Sequence, residues 1–150
     1  MLAVLILTTS CQNEPIKVRG QILAAADINP NVRNKASPVE IRIYWLSDNK
    51  KFEAANYLTL IQSDTQVLGK DMLHKEVMIV RPGQTLPYRV DINKDTVYLA
   101  AIAAFRDTRT AQWKAVHRIS VFRHENVRIK LEQNSVSFTG FHDTGFHDGS

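Results

Sequence analysis

The sequence has one cysteine, few glycines and no long apolar run, and each shortage excludes a class of protein. Cys11 is the only cysteine among the 150 residues, so no intramolecular disulfide can form. No apolar run approaches the roughly 18 residues that a membrane-spanning helix requires. With 44% hydrophobic and 23% charged residues, the composition is ordinary for a globular protein, and the length predicts one domain.

The six glycines are widely spaced, and the common catalytic motifs are missing: no P-loop, GxGxxG or GxSxG pattern occurs. His124 and Glu125 begin like an HExxH zinc motif, but the fifth residue is Arg128 and the segment runs into a predicted strand. His117 and Ser120 are three apart on a predicted strand, which points their side chains to opposite faces. We therefore predict that the chain is not an enzyme and has no catalytic residue, metal site or cofactor.

The net charge of +4 comes from cations that are scattered along the chain, many of them alternating with apolar residues. This is the pattern of a solvated face. Because no basic cluster with interleaved aromatics is present, we predict no nucleic-acid partner. A basic surface can still meet an acidic protein or an anionic surface. Trp45 and Trp113 could stack on a sugar, but both lie in strand-like patterns, which favours core packing.

The first residues have the order of a lipoprotein export signal. An apolar run over 2–7 is followed by small residues and then by Cys11, whose thiol would receive a diacylglyceryl group. Gln12 stands where an aspartate would favour retention in the inner membrane, which implies the outer membrane. No cation precedes the run, and Thr8 replaces a commoner leucine. The alternative is a buried edge strand, with the cysteine as a small hydrophobic residue.

From Ile16 onward, apolar and polar residues alternate as in half-buried antiparallel strands. The inward-facing residues of the three clearest segments are Val39, Ile41, Ile43 and Trp45; Leu86, Tyr88, Val90 and Ile92; and Val127, Ile129 and Leu131. The nearly continuous apolar run at 97–105 favours a central strand over a buried helix. Residues 81–84 place Pro and then Gly as a type II turn requires. Several short strands with such turns predict a sandwich.

One segment has helical spacing instead. A single apolar face over 51–62 is formed at i, i+3, i+4 and i+7 by Ala54, Tyr57, Leu58 and Ile61. Asp48 and Asn49 can cap its start, and a second helical turn is predicted over 65–72. We expect this insertion, at about residues 51–72, to close one side or end of the sandwich.

Residues 29–37, NPNVRNKAS, are polar and predict an exposed loop. Residues 139–150 contain the pentapeptide TGFHD twice, and their glycines and polar residues predict a flexible tail. Its two His-Asp pairs could bind a transition metal only weakly, because ordering a flexible tail is costly. The predicted organisation is therefore a short or remnant signal (1–10), an anchor linker (11–15), a sandwich domain (16–138) and the tail.

Three stretches together resemble the type VI secretion outer-membrane lipoprotein family TssJ, also called SciN or VasD. They are SPVEIRIYWLSDNKKFEAANYLTLIQ, LGKDMLHKEVMIVRPGQ and AIAAFRDTRTAQWKAV, the last being the most specific. The resemblance implies a mainly β, antiparallel, transthyretin-like sandwich with added helices. It also implies a non-enzymatic structural role, with Cys11 tethering the chain to the periplasmic face of the outer membrane.

The same resemblance implies partners. The chain would bind the periplasmic C-terminal domain of TssM directly and would meet TssL only through the assembled complex. The family's contact loop joins the first two strands, which places the partner-binding residues at Asn29, Pro30, Asn31, Val32, Arg33, Asn34 and Lys35. Arg33 and Lys35 are the expected main contacts. The alternatives are a periplasmic ligand- or carbohydrate-binding sandwich and a hydrolase of unrecognised type.

Overall fold

The structure, a computed structural model, describes residues 16–92, 94–119 and 126–141. The strands of this part of the chain are β1 Ile16–Ala24, β2 Val39–Leu46, β3 Met72–Val80, β4 Thr85–Ile92, β5 Tyr98–Ala103, β6 Lys114–Arg118, β7 Asn126–Glu132 and β8 Ser135–Phe141. Two helices, α1 Lys50–Ala54 and α2 Tyr57–Leu68, and a 3₁₀ turn at Gly69–Asp71 lie between β2 and β3.

The strands form two four-stranded sheets that pack face to face. The first sheet has the order β4-β1-β7-β8 and the second has the order β3-β2-β5-β6. All strand pairs are antiparallel except β1 with β7, which is parallel. The predicted sandwich is therefore confirmed, and the parallel pair is an addition that the antiparallel prediction did not contain.

The alternating residues of β2 and β7 build the main core between the sheets, as predicted. Ile41, Ile43 and Trp45 are fully buried, and so are Ile129 and Leu131 from the facing sheet. Trp45 packs on the His74 ring with 4.9 Å between ring centroids, so it belongs to the core. The alternation puts these side chains on one face because successive residues of a strand point to opposite sides.

Strand β5 occupies the central position that its apolar run predicted. It lies between β2 and β6, and every residue from Leu99 to Ala103 is buried. One face of β5 contacts the main core, whereas Ala100 and Ile102 contact a second core under the helices. A strand covered on both faces needs no polar face, which explains the continuous apolar sequence.

The helices cover the outer face of the second sheet, so the predicted insertion is confirmed. Its predicted apolar face is confirmed at Tyr57 and Ile61, which pack against the second core, and is wrong at Ala54 and Leu58. Leu58 is 63% exposed and Ala54 is also exposed. The helical segment is interrupted at Asn56. The side chain of Asn56 accepts a hydrogen bond from the Thr59 amide (2.9 Å) and so caps the start of a new helix. The break resets the helical phase, and the buried helix residues are Phe52, Leu60, Asp64 and Leu68.

Lys114 fixes the end of α1 to the sheet. Its Nζ donates to the carbonyl oxygens of Glu53 (2.6 Å), Ala55 (3.0 Å) and Phe52 (3.3 Å), which a helix C-terminus leaves without partners. We expect Lys114→Met to lower the free energy of unfolding by about 1–2 kcal/mol, because the carbonyls lose a charged donor. Thermal or urea denaturation measures this; Lys70→Met, at an exposed position, is the control and should have almost no effect.

The two ends of the sandwich carry different connections. We call the end of the sandwich at which β1 begins, at Ile16, the near end. The end at which β1 finishes, at Ala24, is called the far end. Nine residues of strand separate these ends by about 30 Å. The far-end connections are tied together, since the Ala25 amide donates to the Leu131 carbonyl (2.8 Å) and the Gly83 amide donates to the Ala25 carbonyl (3.1 Å).

The predicted turn at 81–84 is confirmed: Gly83 has φ 72° and the Gln84 amide donates to the Arg81 carbonyl at 3.1 Å. Strand β8 runs to Phe141, three residues past the boundary at 138 predicted for the sandwich. Strand β8 pairs the first three residues of the predicted tail, 139–141, with β7. Within the described ranges, no helix is both long and apolar enough to cross a bilayer.

Candidate partner-binding loop

The loop between β1 and β2 is built on Asn29. Its side chain is almost fully buried, with Nδ2 donating to the Pro38 carbonyl (2.7 Å) and Oδ1 accepting from the Arg106 amide (2.8 Å). Its backbone amide donates to the Gln133 carbonyl (2.7 Å), and its carbonyl accepts from the Ser37 hydroxyl. The prediction of an exposed loop over 29–37 is therefore wrong at both ends, because Asn29 and Ser37 are buried and attach the loop to the β5–β6 and β7–β8 connections.

A second asparagine closes the tip of the loop. The Asn31 side-chain oxygen accepts hydrogen bonds from the amides of Arg33 (2.9 Å) and Lys35 (3.0 Å). The Asn31 amide donates to the Lys35 carbonyl (2.8 Å), and the Asn34 amide donates to the Asn31 carbonyl (2.9 Å). Asn34 has φ 55°, a left-handed conformation that asparagine tolerates well. Residues 31–35 thus form a small closed turn with a defined shape.

This turn presents its outer side chains to solvent. Val32 is fully exposed, and Arg33, Asn34 and Lys35 are exposed beside it, whereas Pro30 is half-buried. A fully exposed apolar side chain in the same turn as two cations contributes nothing to the packing of the fold itself. Val32 belongs to the partner-binding range predicted from the sequence, in which Arg33 and Lys35 are the expected main contacts, and its full exposure makes it a third candidate. Its signal was an apolar residue inside an otherwise polar loop.

The connection between β5 and β6 contacts the β1–β2 loop and holds it in place. Arg106 Nε donates to the Ser37 hydroxyl (3.1 Å), and the preceding Phe105 is buried in the main core. Asp107 accepts from the Thr110 hydroxyl (2.8 Å) and from the Arg109 amide (3.1 Å), and the bond from Thr110 holds the pKa of its carboxyl below the usual value. Arg106, which lies between the buried Phe105 and the hydrogen-bonded turn at Asp107, therefore positions the loop.

A second polar cluster lies under α2 and centres on Asp64, a buried carboxylate. Its Oδ2 accepts from Lys75 Nζ (3.0 Å) and Tyr44 Oη (3.0 Å), with Arg42 Nη1 at 3.4 Å. Burial alone would raise the pKa of Asp64, but the hydrogen bonds from Lys75 and Tyr44 outweigh it and hold this pKa below the usual value. Burial and the carboxylate together raise the pKa of Tyr44. Because each group has partners, the cluster fastens α2 to the sheet.

The other residues considered from the sequence lie apart from the loop. His117 packs on Phe138 with 5.8 Å between ring centroids, and Trp113 packs edge-on against Tyr57 at 5.3 Å. No group of three or more potential metal ligands occurs in the part of the chain that the structure describes. Cys11, Ser120, His124, Glu125, His142 and His147 are outside the described residues.

Solved structures share this fold. The type VI secretion lipoprotein TssJ1 of Pseudomonas aeruginosa matches with a TM-score of 0.82 and 26% identity, over 85% of this chain and 98% of that chain. Serratia marcescens Lip, a membrane-bound component of the type VI secretion system, matches with a TM-score of 0.73 and 17% identity, over 84% and 97%. A chain in a structure of the TssM C-terminal domain from EAEC matches at 0.68 and 24%, over 81% and 99%.

No curated protein matches this chain in sequence. The model of one family does match: the type VI secretion lipoproteins, described as VasD, EvfM and TssJ, over residues 16–134. This match covers the whole sandwich as far as the β7–β8 turn, including the loop at 29–37. The family consists of structural lipoproteins and not of enzymes, which confirms the non-enzymatic prediction. The chain belongs to the type VI secretion lipoprotein family.

Proposed function

We propose that this chain is a structural lipoprotein of the type VI secretion membrane complex that is anchored in the outer membrane by Cys11 and binds the periplasmic C-terminal domain of TssM. The contact is the turn at 31–35, and TssL is met only through the assembled complex. The observation that best supports this proposal is the turn at 31–35, which is closed by hydrogen bonds to Asn31 and exposes Val32 fully together with the cations Arg33 and Lys35.

The two attachments lie at opposite ends of one strand. Cys11 precedes Ile16, where β1 begins at the near end, and the loop follows Ala24 at the far end. An anchor at one end leaves the other end free to point away from the membrane, into the periplasm. This polarity suits a protein that holds a partner at a fixed distance from the bilayer.

The hydrogen bonds of the loop reduce the entropic cost of binding. A flexible loop loses conformational entropy when a partner orders it, whereas the turn at 31–35 is already closed by Asn31 and stapled by Asn29. Arg33 and Lys35 can steer an acidic surface toward the loop. Val32 can fill an apolar pocket at the centre of the contact, where binding energy concentrates.

Binding to the TssM C-terminal domain from the same bacterium tests the proposal, with the chain carrying Cys11→Ser so that it stays unacylated. We expect Arg33→Ala/Lys35→Ala to weaken binding roughly tenfold or more, mainly through a slower association that depends on salt. Val32→Asp should weaken it further, because a carboxylate would have to enter the apolar centre of the contact. Calorimetry and surface plasmon resonance at two salt concentrations measure both effects.

The control is Arg81→Ala/Lys70→Ala, which removes the same charge from two exposed positions outside the loop. The control should bind the TssM domain with the same affinity as the chain without these substitutions. If the control and the loop variant weaken binding equally, the loop is not the contact. If the chain shows no binding at micromolar concentrations, the role as a TssM-binding lipoprotein is wrong.

A further inference from the structure

The outer face of the first sheet carries a pocket of about 310 Å³ on the near half of the sandwich. The three strands β4, β1 and β7 form its floor, and the side chains at its rim are Arg19, Gln21, Pro87, Arg89, Asn126 and Arg128. The guanidinium groups of Arg19 and Arg89 and two side-chain amides can donate hydrogen bonds, and no carboxylate belongs to the described residues that line the pocket. Such a set of donors suits an anion with several oxygens.

The strand register places two of the arginines directly opposite each other. Arg19 of β1 pairs with Arg89 of β4 on one side and with Asn126 of β7 on the other. Like charges at opposed positions of neighbouring strands destabilise a sheet. Within the described ranges, Arg19 and Arg89 form no ion pair, although Arg42, Lys51 and Lys75 each hold a carboxylate. An unpaired cross-strand pair of arginines indicates that an anion from outside completes this face.

The pocket lies close to the proposed anchor. Four residues lie between Cys11 and Ile16, and the five Cα-to-Cα steps that join them span at most about 18 Å at full extension. Arg19 lies about 10 Å further along β1. An acylated Cys11 therefore keeps the pocket within about 28 Å of the headgroups at all times. The tether makes contact with the bilayer an intramolecular event, at an effective concentration on the order of millimolar.

We infer that this pocket, named the arginine pocket, binds the phosphate groups of anionic phospholipids in the membrane that holds the anchor. The inference rests on the proposed anchoring, and it adds a second contact with the same bilayer. A guanidinium group can donate two parallel hydrogen bonds to the oxygens of one phosphate. The side-chain amides of Gln21 and Asn126 add neutral donors. The outer face of the first sheet then contacts the lipid headgroups, while the loop at the far end stays accessible to its protein partner.

Vesicle sedimentation tests the inference with the full chain carrying Cys11→Ser, so that no acyl chain contributes. The vesicles are phosphatidylcholine, with or without about 30% phosphatidylglycerol. We expect binding only to the anionic vesicles, and we expect Arg19→Gln/Arg89→Gln to weaken it roughly 10- to 30-fold. The control Arg81→Gln/Lys70→Gln removes the same net charge away from the pocket and should change binding less than about threefold.

Three results would overturn the inference: equal losses in the pocket variant and the control, equal binding to neutral and anionic vesicles, or a pocket variant that loses the TssM domain instead of the vesicles. The last result would make the pocket a protein contact. Because the assay uses unacylated protein and lipid alone, its failure leaves the TssM proposal standing. A failure of TssM binding with intact vesicle binding would, in turn, leave the pocket assignment standing.

Discussion

Cys11→Ser is expected to move the protein from the membrane fraction to the soluble periplasmic fraction while the sandwich stays folded. Each buried methylene of an acyl chain contributes about 0.8 kcal/mol, so losing two or three chains removes essentially all of the anchoring energy. The sandwich begins at Ile16, beyond the substituted position, so its stability should not change. Fractionation of cells and thermal unfolding of the purified chain measure the two effects.

The matched control is Gln12→Asp, which leaves the cysteine available for acylation. This variant should remain bound to membrane but shift toward the inner membrane, by analogy with enteric sorting. Fractions are washed at about 1 M salt, where the Debye length is about 3 Å and contacts through the arginine pocket are screened. A serine variant that stays with the outer membrane through these washes would refute the anchor assignment.

Asp64→Ala is expected to destabilise the protein by about 3 kcal/mol, the lower end of the cost of breaking a buried ion pair, because Arg42 and Lys75 keep some solvent contact. The change leaves the Tyr44 hydroxyl and two cations without their carboxylate under α2. For a chain of this length, the unfolding midpoint should fall by roughly 6–10 °C. Differential scanning calorimetry measures the shift.

The matched control is Asp27→Ala, an identical change at an exposed position outside every ion pair within the described residues. It should shift the midpoint by less than about 1 °C. A similar loss in both variants would show that Asp64 contributes only as a surface charge. The cluster would then have no special role in fastening α2.

Acid should remove the same stabilisation. The folded pKa of Asp64 lies below its ordinary value of 3.8, so the carboxylate contributes fully above about pH 4. The contribution is lost as the pH falls through the lower, folded pKa. The stability difference between the unchanged chain and Asp64→Asn, measured by urea denaturation, should therefore be constant from pH 5 to 7 and shrink below about pH 4.

The sequence allowed the strands to be predicted because burial on one face leaves a local trace. Val127, Ile129 and Leu131 are buried and alternate with Arg128 and Lys130, and this alternation needs no knowledge of the partner strand. Pairing is different, because it depends on residues far apart in the chain. The parallel contact of β1 with β7 left no local trace and was missed.

The helix prediction failed at a single polar residue. Asn56 is acceptable inside a weak helical pattern, yet its side chain can also cap a new helix, and this local hydrogen bond ended the first helix early. Leu58, which lies beyond this break, is exposed to solvent although the continuous helical pattern placed it on the apolar face. Two neighbouring helices with different phases cannot be separated by periodicity alone.

The candidate sites show the same limit. The polarity of 29–37 predicted a loop and its cations, but burial of Asn29 depends on Arg106 and Gln133, which are distant in sequence. Arg19 and Arg89 are 70 positions apart, and only the register brings them together. The local sequence pattern therefore identifies individual candidate residues. A pocket can be identified only when the pairing of strands that are distant in sequence is known.

Strand β1 has a mechanical consequence. If the anchor pulls on Ile16 while the partner pulls on the loop after Ala24, the tension runs along a segment that is already extended, at about 3.3 of a possible 3.6 Å per residue. Its nine residues can lengthen by only about 3 Å. The chain would therefore behave as a short and nearly inextensible link between membrane and partner, and the hydrogen bonds of Asn29 to Arg106 and Gln133 would share the load with β1.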